Sequence, residues 1–275
     1  ALRATLYAKG DPRARSVAGT GPSLDAITRV DLAEFHRRFY RPDAAVVVVS
    51  GDVDPAAAIR GVKKAFGTWK VLAPTPPKIT LSAVPDLAPG TGLTRIPSPG
   101  GAELVVGFPG LAHGDADWPA AALAVAALGG PASARLRWAL SSNAKLATWS
   151  DAELDAGGYA GPVIVRAGVT PENADAALAA IRETLRALST DGPSRDESTA
   201  ARAWLLGRLA RRLETNPSIT AAFADGEREG DSGDGPRASA ARLNAASHDE
   251  ITRAAKTLFL PDAPAVLAAP AAPKK

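Results

Sequence analysis

The clearest pattern of hydrophobic and polar positions runs from Thr28 to Asp52 and predicts a helix followed directly by a buried strand. Thr28 and Asp31 have the spacing of a capped helix start. Pro42 disfavours helix at the residue before it, and the β-branched run at 46–49 is typical of a strand buried on both faces. We therefore expect the helix to pack on a sheet. Its apolar stripe consists of Leu32, Phe35 and Phe39.

The same pattern is repeated near the end of the chain, at an offset of 250 − 31 = 219 residues. Ser247 and Glu250 stand where Thr28 and Asp31 stand in the first copy. Two copies of one closing unit predict two homologous domains, and a chance match of a short pattern is the alternative. The further matches are Leu258, Phe259, Pro261, Asp262, Val266 and Leu267, which correspond to Phe39, Tyr40, Pro42, Asp43, Val47 and Val48.

The repeat divides the chain into unequal parts. Only 27 residues precede Thr28, which is too few for the rest of a domain, so we expect the chain to begin inside one. We predict that residues 1–74 are the closing part of a truncated first domain. Residues 75–99 are predicted to be a proline-rich linker and entry, and residues 100–275 to form a complete second domain.

The order of predicted elements indicates the fold class. Strands are predicted near 93–96, 103–108, 145–153 and 159–169, and helices fill most of the remaining chain up to a loop at 230–235. A capping box of Ser194 and Glu197 marks the start of one of these helices. Strands grouped apart from runs of helices predict an α+β fold: a two-layer sandwich of mostly antiparallel sheet with helices on one face.

Composition excludes several classes of partner and site. The net charge is only +3, and the basic residues are interspersed with acids, so we predict no nucleic-acid partner. There is no cysteine to act as a nucleophile or thiolate ligand. No apolar run approaches the roughly 18 residues of a membrane span, and no signal peptide opens the sequence. We predict no membrane insertion, with a periplasmic location if a signal peptide lies upstream and a cytoplasmic one otherwise.

Potential catalytic groups are few. None of the histidines His36, His113 and His248 has a second histidine four residues away, the spacing that aims two imidazoles at one zinc ion. We interpret His36 as a packing or hydrogen-bonding helix residue and the other two as surface residues. Gly129-Gly130 is interpreted as a helix break. Four arginines on one helix are interpreted as a solvated face and not as an anion site: Arg202, Arg208, Arg211 and Arg212.

Several short motifs, taken in order over nearly the whole chain, resemble the pitrilysin/insulinase family of zinc metallopeptidases. They are Phe66-Gly67-Thr68-Trp69, Phe108-Pro109-Gly110, Leu128-Gly129-Gly130, Arg135-Leu136 and Leu213-Glu214-Thr215-Asn216. The resemblance implies two homologous α+β domains that enclose a peptide, with zinc held in the first domain by an inverted H-x-x-E-H helix and a later glutamate. Those ligands would lie upstream of Ala1. The resemblance therefore implies no catalytic residue, metal ligand or cofactor here, and zinc only in an upstream domain or partner subunit.

The resemblance also points to two substrate-binding positions in the second domain. The family usually has an arginine there and, seven residues later, a tyrosine that hold and polarise the bound peptide. Counted from Arg135-Leu136, these positions are Ser141 and Thr148. Serine lacks the bidentate charge of arginine and threonine lacks the reach of a phenol, so we expect both positions to be degenerate.

Two hypotheses for the function follow. In the first hypothesis, the chain is a noncatalytic half that forms a wall of a peptide chamber and an interface for a catalytic half or subunit. The parent protein or that partner would resemble a zinc metalloendopeptidase. Extended peptide would then add as a strand to an exposed sheet edge. The alternative is a purely structural assembly protein that keeps the fold without peptide chemistry, which Ser141 and Thr148 favour. In both cases the chain alone is predicted to be inactive.

Overall fold

The structure is a computed structural model that describes residues 2–76, 81, 93–98, 100–230 and 234–270, so most of the predicted linker lies outside the described residues. The N-terminal part contains α1 (Leu2–Leu6), α2 (Gly21–Asp25), α3 (Arg29–Phe39) and α4 (Pro55–Phe66). Two short 3-10 turns, Pro12–Ala14 and Pro42–Ala44, lie between these helices.

A five-stranded sheet organises the rest of the described chain. Its strands are β1 (Leu93–Pro97), β2 (Glu103–Pro109), β3 (Ala147–Leu154), β4 (Pro162–Val169) and β5 (Ala265–Ala269). The order is β1-β5-β2-β4-β3, with β1 and β5 parallel and the other neighbours antiparallel. This confirms the predicted α+β class with a mostly antiparallel sheet.

The helices of this part differ from the prediction at one place. They are α5 (Trp118–Gly129), α6 (Arg135–Arg137) with its continuation as a π-helix (Trp138–Asn143), α7 (Ala174–Asp191), α8 (Arg195–Arg211), α9 (Asn216–Glu229), α10 (Gly235–Ala245) and α11 (His248–Leu258). Helix α10 is absent from the sequence interpretation, which passes from the 230–235 loop straight to the closing unit. Its one large aliphatic side chain is Leu243, so no apolar stripe indicates a helix there.

The main core lies between the sheet and a layer of helices on one face. Helix α5 is at its centre and packs on β3, α8 and α11. Phe108 of β2 meets Phe259, which follows α11, edge to face at 6.0 Å. Burying each large side chain of this kind contributes about 1.5–3 kcal/mol. The other large, fully buried side chains include Leu104, Leu123, Leu128, Leu136, Leu140, Ile181, Leu185, Leu188 and Ile251.

The second face of the sheet, opposite the helical layer, is partly covered by α1. Leu2 and Leu6 pack over Gly107, where a Cβ would come within 2.6 Å of Leu2. Tyr7 is also buried on this face, and the guanidinium of Arg13 lies 4.5 Å from the centre of its ring. The sequence interpretation expected all helices on one face of the sheet. The structure differs, because α1 of the N-terminal part packs on the opposite face.

The predicted repeat is present in the backbone of α3 and α11. Each helix has 11 residues, and their bounds coincide at the offset of 219 (248 − 29). Both capping boxes are formed: Thr28 with Asp31, and Ser247 with Glu250. The two copies therefore begin, run and end alike.

The surroundings of the two copies differ, and the predicted buried strand at 46–49 is wrong. Residues 46–50 form no strand within the part of the chain that the structure describes, and Val47 is half exposed. The matching residue of β5, Val266, is buried between β1 and β2. The pattern correctly indicates side chains suited to burial. Whether a neighbouring strand is present cannot be read from this pattern, and among the described residues no strand pairs with 46–50.

A hydrogen-bonded ion pair fixes the start of α6 against α8. Arg135 donates to both carboxylate oxygens of Glu197, at 2.6 and 2.8 Å, and to the carbonyl of Gly192 at 3.3 Å. Glu197 also accepts from the backbone N–H of Ser194 at 2.7 Å. Burial opposes ionisation of Glu197, but these donors outweigh it and hold its pKa below the usual value.

The matched positions Ile251 and Leu32 test the asymmetry of the repeat. Ile251 is fully buried and Leu32 is 61% exposed. We expect Ile251→Ala to lower the free energy of unfolding by about 2–5 kcal/mol because it leaves a cavity, and Leu32→Ala to change it by less than about 0.5 kcal/mol. Urea unfolding followed by circular dichroism measures both. Equal losses at the two positions would contradict the described packing.

The Arg135–Glu197 pair predicts a pH-dependent contribution to stability. A carboxyl with a lowered pKa in the folded state stabilises above its unfolded pKa, near 4.3, and loses this effect as the pH falls through the folded pKa. Glu197→Gln should therefore cost about 1–3 kcal/mol at pH 7 and much less near pH 3. Urea unfolding at both pH values is the measurement. Glu183→Gln, which breaks an exposed pair with Arg186, is the control and should have no measurable effect. A pH-independent cost of Glu197→Gln would contradict the assignment.

Candidate functional site

Ser141 and Thr148 both lie in irregular backbone at the corner that leads from α6 into β3. Ser141 is in the π-helix and is half-buried, and its hydroxyl has no hydrogen-bond partner among the described residues. Thr148 is exposed and donates to the carbonyl of Gly168 at 3.2 Å. The described structure contains no hydrogen bond between the two side chains.

The corner combines three departures from regular geometry within 11 residues, 138–148. The π-helix is the first, and Lys145 is the second, with φ of +52°, a conformation that non-glycine residues seldom adopt. The third is a β-bulge at Thr148, because Ala147 pairs with Val169 while Trp149 pairs with Gly168. Such π-helical turns and bulges are frequent at functional sites, where they redirect side chains.

Trp149, the residue after the bulge, is a candidate that sequence reasoning missed. It is 43% exposed and lies on the second face of the sheet. Its indole covers Gly168 so closely that a Cβ at that glycine would overlap the ring. A tryptophan next to Thr148, opposite a strand glycine, is the one signal in the sequence that could have indicated it.

Charged side chains follow Trp149 along the second face. Arg166 of β4 lies between Asp151 at 3.5 Å and Glu153 at 3.3 Å. Burial raises the pKa of Asp151 above its usual value, and the charges of Glu153 and Glu103 add to this effect, while Arg166 opposes it. Carboxylates therefore outnumber cations at this end of the face.

The outer edge of β3 is the exposed sheet edge nearest to these residues. β3 is the last strand in the order and pairs with β4 on its inner side. For residues 148–154, no backbone hydrogen bond to another described segment is found on the outer side. Such an edge offers unpaired backbone donors and acceptors to an added strand.

The three histidines do not form a site, and the surface prediction for His113 is wrong. His113 is 5% exposed, and its Nε2 lies 3.3 Å from Ser239 Oγ and 3.7 Å from Glu229 Oε2. It is buried because the unpredicted α10 covers its loop: Arg242 of α10 donates to the His113 carbonyl at 3.0 Å.

The other two histidines are accounted for locally. His36 is exposed and stacks on Tyr40 at 4.7 Å, and His248 is half-buried with its Nδ1 3.1 Å from Ser198 Oγ. Within the described ranges, no group of three or more histidine, aspartate or glutamate side chains is arranged to hold a metal ion.

The arginines of α8 and its end have structural contacts. Arg202 donates to the carbonyls of Leu243 and Ala246 at the end of α10. Arg208 stacks on Trp204 at 4.7 Å. Arg212 pairs with Asp225 at 2.7 Å. Three of the four predicted surface arginines are therefore engaged within the chain.

A cavity of about 250 Å³ lies between α5, α8, α9, α10 and the end of β3. Trp118, Trp204 and several aliphatic side chains line it together with His113 and Glu229. In this lining, Ser239 Oγ lies beside the Nε2 of His113, but Glu229 faces the same ring nitrogen and not the opposite one. The three groups therefore do not have the order of a nucleophile, a base and an acid that orients the base. The glycines of the predicted helix break lie nearby: a Cβ at Gly129 would overlap Ala152, so this glycine also allows α5 to approach β3 closely.

Comparison with known proteins connects this geometry to a family. The model of the peptidase M16 inactive domain matches residues 26–205, more than half of the chain. An uncharacterized zinc protease from Mycobacterium leprae is 30% identical over 212 residues, which are 75% of this chain and 46% of that protein. A similar protein from Streptomyces coelicolor is 28% identical over 219 residues, with 74% and 45% covered. The chain thus spans about half the length of the curated relatives that it matches.

Solved structures share the fold. The peptidase M16 inactive domain from Pseudomonas fluorescens superposes with a TM-score of 0.81 at 19% identity, over 100% of this chain and 65% of that one. An inactive peptidase domain from Bordetella parapertussis has a TM-score of 0.54 at 25% identity, over 63% of this chain and 96% of that one. Among the described helices, none is both long and apolar enough to cross a membrane. The family match confirms the resemblance of the sequence motifs: the chain belongs to the inactive-domain family of the M16 peptidases, the noncatalytic portion of the pitrilysin/insulinase type.

Proposed function

We propose that the chain forms a wall of a peptide chamber and provides an interface for a catalytic half or subunit of the same family. Membership of the inactive-domain family supports the noncatalytic role. The interface rests on one observation: the first copy of the repeat leaves exposed the positions that the second copy buries. Residues 1–74 would then be the closing part of a domain that the catalytic half completes.

The helix of the first copy supports this proposal. In α11, the four positions of the apolar stripe are all at most 9% exposed: Ile251, Ala254, Ala255 and Leu258. The corresponding positions of α3 are Leu32, Phe35, His36 and Phe39, and all of them are exposed. A stripe of exposed large hydrophobic side chains, here Leu32, Phe35 and Phe39, is typical of an interaction surface.

The segment that follows α3 supports it further. β5 has a parallel neighbour on one side and an antiparallel neighbour on the other. We propose that residues 46–50 take one strand of the catalytic half on each side in the same way. Their valines would then be buried, with about 1.5–3 kcal/mol gained for each side chain that becomes fully buried.

Contacts within the chain would make this interface and the second domain one rigid wall. The hydroxyl of Ser50 donates to the Asn216 carbonyl at 3.0 Å and lies 2.7 Å from the Thr220 hydroxyl, both on α9. At the other end of the N-terminal part, α1 packs on the second face of the sheet. A catalytic half bound to α3 would thereby be held at a set distance from the second domain.

A second candidate function is a purely structural assembly role without peptide binding. Two observations favour it: Thr148 bonds to its own sheet, and the hydroxyl of Ser141 is buried. Neither side chain is then available to hold a peptide. The two candidates share the interface and differ only in whether peptide is bound.

The interface can be tested with a matched pair of substitutions on α3. Phe35 lies on the stripe that corresponds to the buried face of α11, whereas Val30 corresponds to the exposed Asp249. We expect Phe35→Glu to weaken binding of the catalytic half at least a hundredfold, about 3 kcal/mol, because a charge enters the apolar contact. Val30→Glu should change binding less than threefold. Titration calorimetry measures both, and equal effects would argue against this docking face.

The inactivity of the chain alone is a separate prediction. The zinc ligands of the family are expected outside these 275 residues, so the chain on its own should neither retain zinc tightly nor cleave unstructured peptides. Elemental analysis of the purified chain and a fluorogenic peptide assay measure these properties. One tight zinc ion per chain together with turnover would overturn the noncatalytic assignment.

A further inference from the structure

We infer that the second face beside β3 binds a lysine or arginine side chain of an extended polypeptide, and that Trp149 is the residue that selects it. The inference rests on the proposed function, since the polypeptide is the one bound at the chamber wall. It adds a chemical class of ligand and a specificity-determining residue that the family match does not supply.

The position of the indole is the first observation. Glu103, Gly168 and Trp149 lie in one row across β2, β4 and β3. Because Gly168 has no side chain, the indole can lie over the strand instead of standing upright on it. Nearly half of the Trp149 surface nevertheless stays open to solvent, although the ring lies against the strand at Gly168. A ring held in this way has little conformational freedom to lose when a ligand binds.

The charge around the indole is the second observation. Among the described residues that act on Asp151, the carboxylates of Glu103 and Glu153 join it against the guanidinium of Arg166, a formal charge of −3 + 1 = −2. The net charge of the whole chain is +3, so this end of the face has the opposite sign to the chain as a whole. An approaching cation would be attracted to it, and an anionic side chain would be repelled.

Lysine and arginine fit both observations together. A cation over the face of tryptophan gains more than over any other aromatic residue. The long aliphatic stem can lie along the indole while the charged head reaches Asp151 or Glu103. A neutral side chain would gain only the apolar contact, which predicts a preference for basic residues.

The edge of β3 indicates why the ligand is a polypeptide and not a free cation. The unpaired outer edge next to Trp149 can hydrogen-bond an added strand along its length. The bulge at Thr148 changes the direction of the backbone directly before Trp149. Side chains alternate along an added strand, so one of them would lie on the second face beside the indole.

The test uses the purified chain and fluorescein-labelled, unstructured ten-residue peptides that differ at one central residue. Fluorescence anisotropy should give about tenfold tighter binding for lysine than for glutamine at that position, and weaker binding still for glutamate. The lysine preference should fall severalfold when salt is raised, because exposed charges are screened. Equal affinity for lysine and glutamine would overturn the inference and leave the chamber-wall proposal standing. Failure of every peptide to bind would overturn both.

Four variants assign the preference to Trp149. Trp149→Ala should remove it, and Gly168→Val should do the same by displacing the ring while Trp149 remains. Asp151→Asn should reduce the preference severalfold. Trp138→Ala is the matched control, because Trp138 is also exposed but lies in the π-helix. Circular dichroism checks that each variant is folded. A lysine preference that survives both Trp149→Ala and Gly168→Val would contradict the role of the indole.

Discussion

A strand that is apolar on both faces has to be covered above and below and hydrogen-bonded along both edges, and this double requirement determines where the closing strand β5 lies. β5 lies between β1 and β2, so the last of the described strands joins the first of them to the centre of the sheet. Helix α11 brings it there and packs on α5 and α7. The insertion is non-local, since β1 and β5 are separated by most of the domain sequence. Non-local strand pairing of this kind slows folding, because a long loop has to be closed before its contacts form.

The first copy of this unit, residues 28–52, has no neighbouring strands among the described residues. It shows which features of the unit form without them. The capping box, the length of α3 and the turn at Pro42 are the same as in the second copy, because they depend on residues only a few positions apart. Burial depends on residues far away in sequence, and it is absent. Both copies therefore form the capped helix, but only the second copy is buried in a core among the described residues.

The same distinction explains which features the sequence predicted. Caps, most helices, the strands of the sheet and the α+β class follow from short-range patterns and were predicted. Helix α10 was missed because eleven residues with a single large aliphatic side chain have no periodic signal. That omission led to the wrong placement of His113, which α10 covers. At the corner, the resemblance predicts that Ser141 and Thr148 are degenerate substrate-binding positions, and this stays a prediction. The bulge and the position of the indole depend on pairing with β4, which no short-range pattern indicates.

The two faces of the sheet have separate roles as a result. The helical face holds nearly all of the large buried side chains and stabilises the domain. The second face is covered by α1 at one end and carries Trp149 with its charged neighbours at the other. Substitutions on this second face at the β3 end can change contacts without opening the core, because the side chains there already meet solvent. The selectivity proposed for Trp149 therefore requires no change in the packing of the helical face.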